Sequence, residues 1–235
     1  MCSALFDKAR FRYSGDRALL VKYGEGVDLA VNEKVRRMAE LIRRRPPAGV
    51  QTVVPAYCTL SVVYDPLATS PSDLQHRLHS LEAELAHVQI PEPRTIELPV
   101  CYGGAFGPDI EFVARHNQLS VEAVVQRHCA VTYHIYAVGF APGFCYLGGL
   151  DERLRTPRLE TPRTFVPAGS VGIAEKQTGV YPLDSPGGWQ LIGRTPMNLF
   201  APHRSKPFLY QAGDRIRFTP ISQEVYERMR REDAA

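Results

Sequence analysis

The stretch GFAPGFCYLGGL at residues 139–150, continued by DERLRTPRLETPRTFVPAGSVGIAEKQTGVYPLDSPGGWQLIGRT at residues 151–195, decides how this chain is read. It is dense in Pro and Gly, yet Phe140, Phe144, Tyr146, Phe165, Val166, Val171, Ile173, Val180, Tyr181, Trp189 and Ile192 stand between them. A disordered Pro/Gly-rich chain lacks such residues, because it has too little apolar surface to offset the entropy lost on ordering. Short apolar pieces separated by turn signals are the pattern of a closed or sandwiched β structure. Ala141-Pro142-Gly143 suits a type II turn, with Pro presetting φ at the first central position and Gly accepting positive φ at the second. Ser185-Pro186-Gly187-Gly188 is expected to turn in the same way. Glycine also lets a ligand or a second backbone come close. The stretch therefore predicts a small barrel whose loops form a binding surface.

Upstream of it the periodicity changes. Residues 17–23 read as a strand ended by Gly24 and Gly26. Val31, Val35, Met38, Leu41 and Ile42 then recur at helical spacing until Pro46-Pro47 stops them. Residues 50–54 and 57–64 read as strands, the second with Leu60, Val62 and Tyr64 on one face. Ser70 or Ser72 caps a helix carrying Leu74, Leu78, Leu81 and Leu85. Residues 94–100 alternate as a fourth strand, or equally as the first strand of the next domain. The order β-α-β-β-α-β predicts a ferredoxin-like domain over residues 10–92, with the Pro-rich segment at 91–93 as linker. A β-barrel domain is expected over 93–222, making the fold class α+β, and residues 223–235 form a charged tail that suits a frayed helix. Within 93–222, short helices are expected from Asp109 to His116 and from Val121 to His128, the second capped by Ser120, before a strand at 131–140 and a late strand at 215–219.

Composition narrows the function classes. The chain has 235 residues, 44% hydrophobic and 23% charged, with a net charge of +3. That charge is too small to argue for nucleic acid, and the run Arg43-Arg44-Arg45 reads as a solvated helix C-terminus. Cys2, Cys58, Cys101, Cys129 and Cys145 form no C-x-x-C pair and no zinc spacing, so no metal is expected and reduced thiols in a cytoplasm are. No secretory pattern and no apolar run of about 18 residues is visible, so no membrane association is expected.

Candidate chemistry is thin. Ala168-Gly169-Ser170-Val171-Gly172 approaches a nucleophile elbow, but Ala replaces the first Gly and no helix follows, so a turn between strands is expected. Cys145 reads as a packed thiol. His134 sits in an alternating strand, and His128 closes a helix, where a cation meets a favourable dipole. Arg158, Arg163 and Arg194 punctuate the opening stretch. A guanidinium fork matches a carboxylate or phosphate, and Arg163 and Arg194 are the candidates for ligand contact. Gln177, Thr178 and Tyr181 add hydrogen-bonding groups near a Gly-rich turn. Trp189, the only Trp, suits core packing or a stacking wall. Phe140, Pro142, Phe144 and Tyr146 would build a pocket wall. No Walker A loop, no G-x-G-x-x-G between strand and helix and no H-E-x-x-H is present.

The opening stretch contains GFAPGFCYLGGL, Thr-Pro-Arg twice (156–158 and 161–163), VPAGSVGIA (166–174), QTGVYP (177–182) and SPGGWQLIGRT (185–195). With YGGAFGPD (102–109) and VPAY (54–57), these runs resemble the allophanate hydrolase subunit 1 family. That family includes the B subunit of ATP-dependent 5-oxoprolinase, which the chain most resembles, and the sporulation-kinase inhibitor KipI. The chain departs at Cys58-Thr59, where a basic or small residue followed by Ser is expected, and at Cys145.

The resemblance implies a ferredoxin-like domain followed by a cyclophilin-like barrel. It implies two partners. One is a second cyclophilin-like protein, of the allophanate hydrolase subunit 2 type, which is the C subunit of 5-oxoprolinase. The other is the metal-associated A subunit of 5-oxoprolinase. The expected reaction is hydrolysis of 5-oxo-L-proline to L-glutamate coupled to ATP cleavage, since opening a five-membered lactam is uphill. The chain would be inactive alone, and its catalytic residues stay unassigned. Two alternatives accompany this: inhibition of a sensor histidine kinase, and a role in a urea- or allophanate-metabolising carboxylase-hydrolase system. Prolyl isomerase activity does not follow from a cyclophilin-like fold.

Overall fold

The computed structural model describes residues 4–234, so Cys2 lies outside the described residues. The chain divides into two compact units, Met1–Glu92 and Pro93–Ala235, each with its own apolar core.

The first unit consists of β1 (Leu5–Tyr13), β2 (Ala18–Gly24), α1 (Leu29–Arg44), β3 (Val50–Pro55), β4 (Thr59–Tyr64) and α2 (Pro71–Glu82). Asp28 caps α1 by accepting the Val31 N–H at 3.0 Å, and its stripe Val31, Val35, Met38 and Ile42 is buried against the sheet. Each such side chain removed from water contributes roughly 1.5–3 kcal/mol. Arg44 and Arg45 at the helix end pair with Glu40 and Glu84, as a solvated basic terminus should. Ser70, rather than Ser72, caps α2 through the Asp73 N–H at 3.1 Å.

The element order corrects the sequence reading. It is β-β-α-β-β-α, and the antiparallel sheet has the order β1-β2-β4-β3. The β2-α1-β3 crossover encloses β4, a split β-α-β unit, but the outer strand beside β2 is β1 and not a strand following α2. Its sequence, LFDKARFRY, hides this role because charges interrupt the alternation. Charged residues are how an exposed edge strand avoids pairing with another chain.

The strand after α2 opens the second unit instead. β5 (Thr95–Tyr102), β6 (Thr132–Val138), β7 (Cys145–Gly148), β9 (Ser170–Ala174), β10 (Gln177–Val180), β12 (Gln190–Arg194) and β13 (Arg215–Pro220) close a barrel in the order β10-β7-β6-β13-β5-β12-β9. β5 and β13 run parallel, while the other neighbours are antiparallel. Ile216 and Phe218 of β13 point inward with Leu98, Val100, Tyr133, Ile135, Ile173 and Ile192, while Arg215 and Arg217 point outward. α3 (Ile110–His116) and α4 (Val121–Cys129) lie between β5 and β6, and Ser120 caps α4. α5 (Gln223–Ala234) follows β13, and its Tyr226 ring packs 4.6 Å from that of Phe106. A two-stranded ribbon, β8 (Arg163–Val166) with β11 (Ser185–Gly187), lies apart from the barrel. β11 replaces the turn expected at Ser185–Gly188, where no residue has a positive φ.

Among the described residues no helix is long and apolar enough to cross a membrane. Among them, too, no group of three or more His, Cys, Asp and Glu is placed to hold a metal.

Candidate functional site

A turn and a pair of glycines build the site. The Phe144 N–H donates to the Ala141 carbonyl at 3.0 Å and Gly143 has φ +88°, which is the type II geometry expected for Ala-Pro-Gly. Just before it, Phe140 takes φ +69°. A non-glycine residue there costs about 1–2 kcal/mol, and the Gly139 N–H to Phe144 carbonyl bond at 2.9 Å helps hold it. The turn drives Phe144 inward and leaves Phe140 68% exposed, with the two rings edge-on at 5.6 Å.

Phe144 lands on the outer wall of the barrel. Along β10, Thr178 and Val180 face the interior, so Gly179 faces out, opposite Gly172 of β9. A Cβ on Gly179 would lie 3.0 Å from Trp189 Cζ3 and 3.2 Å from Phe144 Cζ. A Cβ on Gly172 would lie 3.0 Å from Trp189 Cβ. The glycine pair is thus a flat backbone floor on which two aromatic rings rest. Around it stand Tyr146 at 4.8 Å from Phe144, Tyr181 at 5.1 Å and Trp189 at 5.4 Å, all edge-to-face. Gly187 of β11 closes one side, where a Cβ would meet the Tyr181 ring at 2.8 Å.

These groups enclose a cavity of about 270 Å³, lined by Phe140, Phe144, Tyr146, Arg158, Pro162, Tyr181, Pro186, Gly187, Gly188 and Trp189. Arg158 is the charged residue of that lining, its guanidinium 5.9 Å from the Trp189 ring centroid. Burial pushes both the Tyr146 and the Tyr181 phenols up, and the Arg158 charge opposes this in each case. Both phenols are therefore neutral at physiological pH and sense the same cation. The arrangement suits a compact ring with an acceptor group directed at Arg158.

Of the residues singled out from sequence, Phe140, Phe144, Tyr146, Tyr181 and Trp189 come together here. Pro142 shapes the turn without lining the cavity, and Gln177 opens β10 away from that lining. Arg163 is committed elsewhere: it pairs with Asp109 at 2.6 Å and donates to the Trp189 carbonyl at 3.4 Å. The other Asp109 oxygen accepts the Leu191 N–H at 2.6 Å, so this aspartate ties α3, β8 and β12 together instead of capping its own helix. Arg194 lies 5.9 Å from the Phe106 ring centroid and outside the cavity.

Thr178 is a clear correction. It is fully buried inside the barrel, donates to the Gly172 carbonyl at 3.0 Å and meets His128 Nε2 at 2.9 Å. Because the hydroxyl proton is already used, His128 donates from Nε2 and accepts at Nδ1 from the Tyr102 phenol at 2.8 Å. His128 is not the helix-end cation its position suggested. Complete burial pulls its pKa down to about 3, so it is neutral. Cys145 is the packed thiol expected, pushed up to about 11 by burial, and Gly169-Ser170 forms a turn entering β9.

Sequence reasoning missed Arg158 as a cavity residue and Asp109 as an anchor. The repeated Thr-Pro-Arg motif marks both Arg158 and Arg163, but only the tertiary pairing with Asp109 tells them apart.

The barrel and its external cavity define a class of protein. Residues 9–210 match the family model for carboxyltransferase domain, subdomain C and D, and the chain belongs to that family. It is 43% identical over 232 residues to the B subunit of 5-oxoprolinase from Bacillus subtilis, covering 93% of this chain and 95% of that one. It is likewise 43% identical to the B subunit of 5-oxoprolinase from Escherichia coli O157:H7, covering 93% and 99%. Urea amidolyase of Lachancea kluyveri is 25% identical, with 96% of this chain matching 14% of that protein. Among solved structures, TTHA0988 superposes with a TM-score of 0.77 at 41% identity, and 88% of this chain spans 40% of that chain's length. The relatives place the chain in the allophanate hydrolase and KipI grouping that its motifs resemble.

Proposed function

We propose that this protein is one component of an ATP-dependent 5-oxoprolinase, hydrolysing 5-oxo-L-proline to L-glutamate together with partner subunits in the cytoplasm. The observation that carries the reading is the near end-to-end match, at 43% identity, to proteins named as the B subunit of 5-oxoprolinase. The cavity supports it by size and chemistry. At about 270 Å³ it falls just below the range of drug-sized ligand sites, about 300 to 1,000 Å³, as suits a smaller ligand. A five-membered lactam suits its flat aromatic and glycine walls.

ATP does not suit this cavity. One guanidinium and no glycine-rich phosphate loop make a poor cradle for a triphosphate, and we assign ATP to one of the partners. The Thr178 hydroxyl and the His128 imidazole meet, but both are sealed inside the barrel and the hydroxyl proton is held by the Gly172 carbonyl, so the chemical step is also assigned to the assembled complex. The partners this reading requires are the second cyclophilin-like protein and the metal-associated one.

The test is reconstitution. The chain mixed with those two partners, ATP and 5-oxoproline is expected to release glutamate and ADP, while the chain alone releases neither. Absence of glutamate from the assembled mixture overturns the reading. The urea amidolyase relatives favour a second one, a part in urea or allophanate breakdown. It predicts turnover of urea or allophanate, not 5-oxoproline, when a biotin carrier system is added.

A further inference from the structure

We propose that Arg158 makes the aromatic cavity selective for a small monocarboxylate, holding the carboxylate at the rim while the ligand's ring lies among Phe144, Tyr146, Tyr181 and Trp189. The ring chemistry chosen for the test rests on the oxoprolinase reading, but the role of Arg158 follows from the geometry.

The cavity presents donors and no anionic acceptor. Arg158 is the charged side chain in its lining, and no carboxylate pairs with it among the described residues. Two other arginines of the same stretch are spent: Arg155 pairs with Glu175 at 3.3 Å and Arg163 with Asp109. Arg158 is also held in place. Gln190 Nε2 donates to the Pro157 carbonyl at 3.0 Å, and the Leu159 N–H donates to the Gly188 carbonyl at 2.8 Å. The backbone is therefore clamped on both sides of Arg158, whose exposed side chain reaches to 5.9 Å from the Trp189 ring centroid.

The chemistry selects the ligand. A single guanidinium fork matches the two oxygens of a carboxylate. Two neutral phenols, Tyr146 and Tyr181, line the same wall and add no charge to it. A dianionic phosphate would leave charge uncompensated, as no second cation lines the cavity. The faces of Trp189, Tyr146, Tyr181 and Phe144 repel an anion placed over them, so the charged group stays at the Arg158 rim and the apolar part goes inward.

Trp189, the only Trp, gives a readout independent of turnover. The full chain, alone and assembled with its partners, is titrated with 5-oxoproline, with 2-pyrrolidone (the same ring without the carboxylate) and with inorganic phosphate. Saturable change in Trp189 fluorescence is expected with 5-oxoproline, with weaker binding of 2-pyrrolidone and none of phosphate. Arg158→Gln is expected to weaken 5-oxoproline binding by about tenfold, the worth of a charge-assisted hydrogen bond, and to leave 2-pyrrolidone unchanged. Arg158→Lys recovers part of the loss. Arg163→Gln leaves the preference for the acid intact. The proposal is overturned if Arg158→Gln keeps the acid-over-lactam preference, or if 5-oxoproline gives no saturable signal in either form of the protein. Glutamate release by the complex with an unaltered preference in Arg158→Gln would remove this proposal and keep the oxoprolinase reading. Arg158-dependent binding of carboxylates without glutamate release would do the reverse.

Discussion

At the scale of single residues, environment outweighs residue type. Arg158, Arg163 and Arg194 share one chemistry, yet one faces a cavity, one ties elements together through Asp109 and one lies against Phe106. His128 shows the same effect. Its neutral form is bonded on both ring nitrogens inside the barrel. With its pKa near 3 in the folded state against 6.5 unperturbed, the unfolded chain binds the extra proton between those values. The stability His128 contributes is therefore complete above pH 6.5 and is lost as pH falls toward 3. His128→Phe is expected to unfold more easily at pH 7, by about 1–3 kcal/mol, because Tyr102 loses its acceptor in a buried setting. The gap between the two proteins should narrow on acidification across that window, as measured by urea denaturation at a series of pH values. A constant gap would show that His128 titrates normally.

At the scale of elements, the cavity depends on what β9 and β10 lack. The Gly172–Gly179 pair strips the outer wall of side chains where the rings of Phe144 and Trp189 lie. Gly179→Ala puts a methyl 3.0 Å from Trp189, 3.2 Å from Phe144 and 2.8 Å from the Cys145 carbonyl. Overpacking of this kind costs roughly 1–3 kcal/mol. The variant is expected to melt earlier and to show an altered Trp189 emission, with the barrel's far-UV signature retained. Unchanged emission would mean that the rings do not rest on this floor. The two turn motifs of the opening stretch diverge for a related reason. Ala141–Phe144 turns locally, whereas Ser185–Gly187 is drawn into a ribbon because β8 offers it a partner.

At the scale of the molecule, two separate cores imply two separable folding units. The barrel unit closes its sheet with its own strands and so leaves no barrel edge needing the first unit. Residues 93–235 expressed alone are expected to fold, with Trp189 emission blue-shifted and lost in a single cooperative transition. A chain of that length giving only random-coil spectra would show that the core needs the first unit. The match of 88% of this chain to 40% of TTHA0988 shows that similar units occur within that longer chain.

The local part of this structure was legible in sequence. The helical stripe of α1, the cap at Ser120, a serine cap for α2 at Ser70 or Ser72, the Ala-Pro-Gly turn and the late strand β13 depend on neighbours within a few residues. So did the prospect of a β-barrel, because short strands between Pro and Gly signals have few other ways to bury their faces. The motifs also disclosed the family. Tertiary structure alone decided where the edges pair. β1 rather than β5 flanks β2, because the hydrogen-bonding partner of an edge strand is set by which neighbour is in reach, and charge on β1 masks its pattern. It alone decided that Thr178 is interior and Arg158 faces the cavity. Those assignments depend on contacts such as Arg163 with Asp109, 54 positions away in the chain, and His128 with Thr178, 50 positions away. No periodicity of a few residues encodes a partner at that distance.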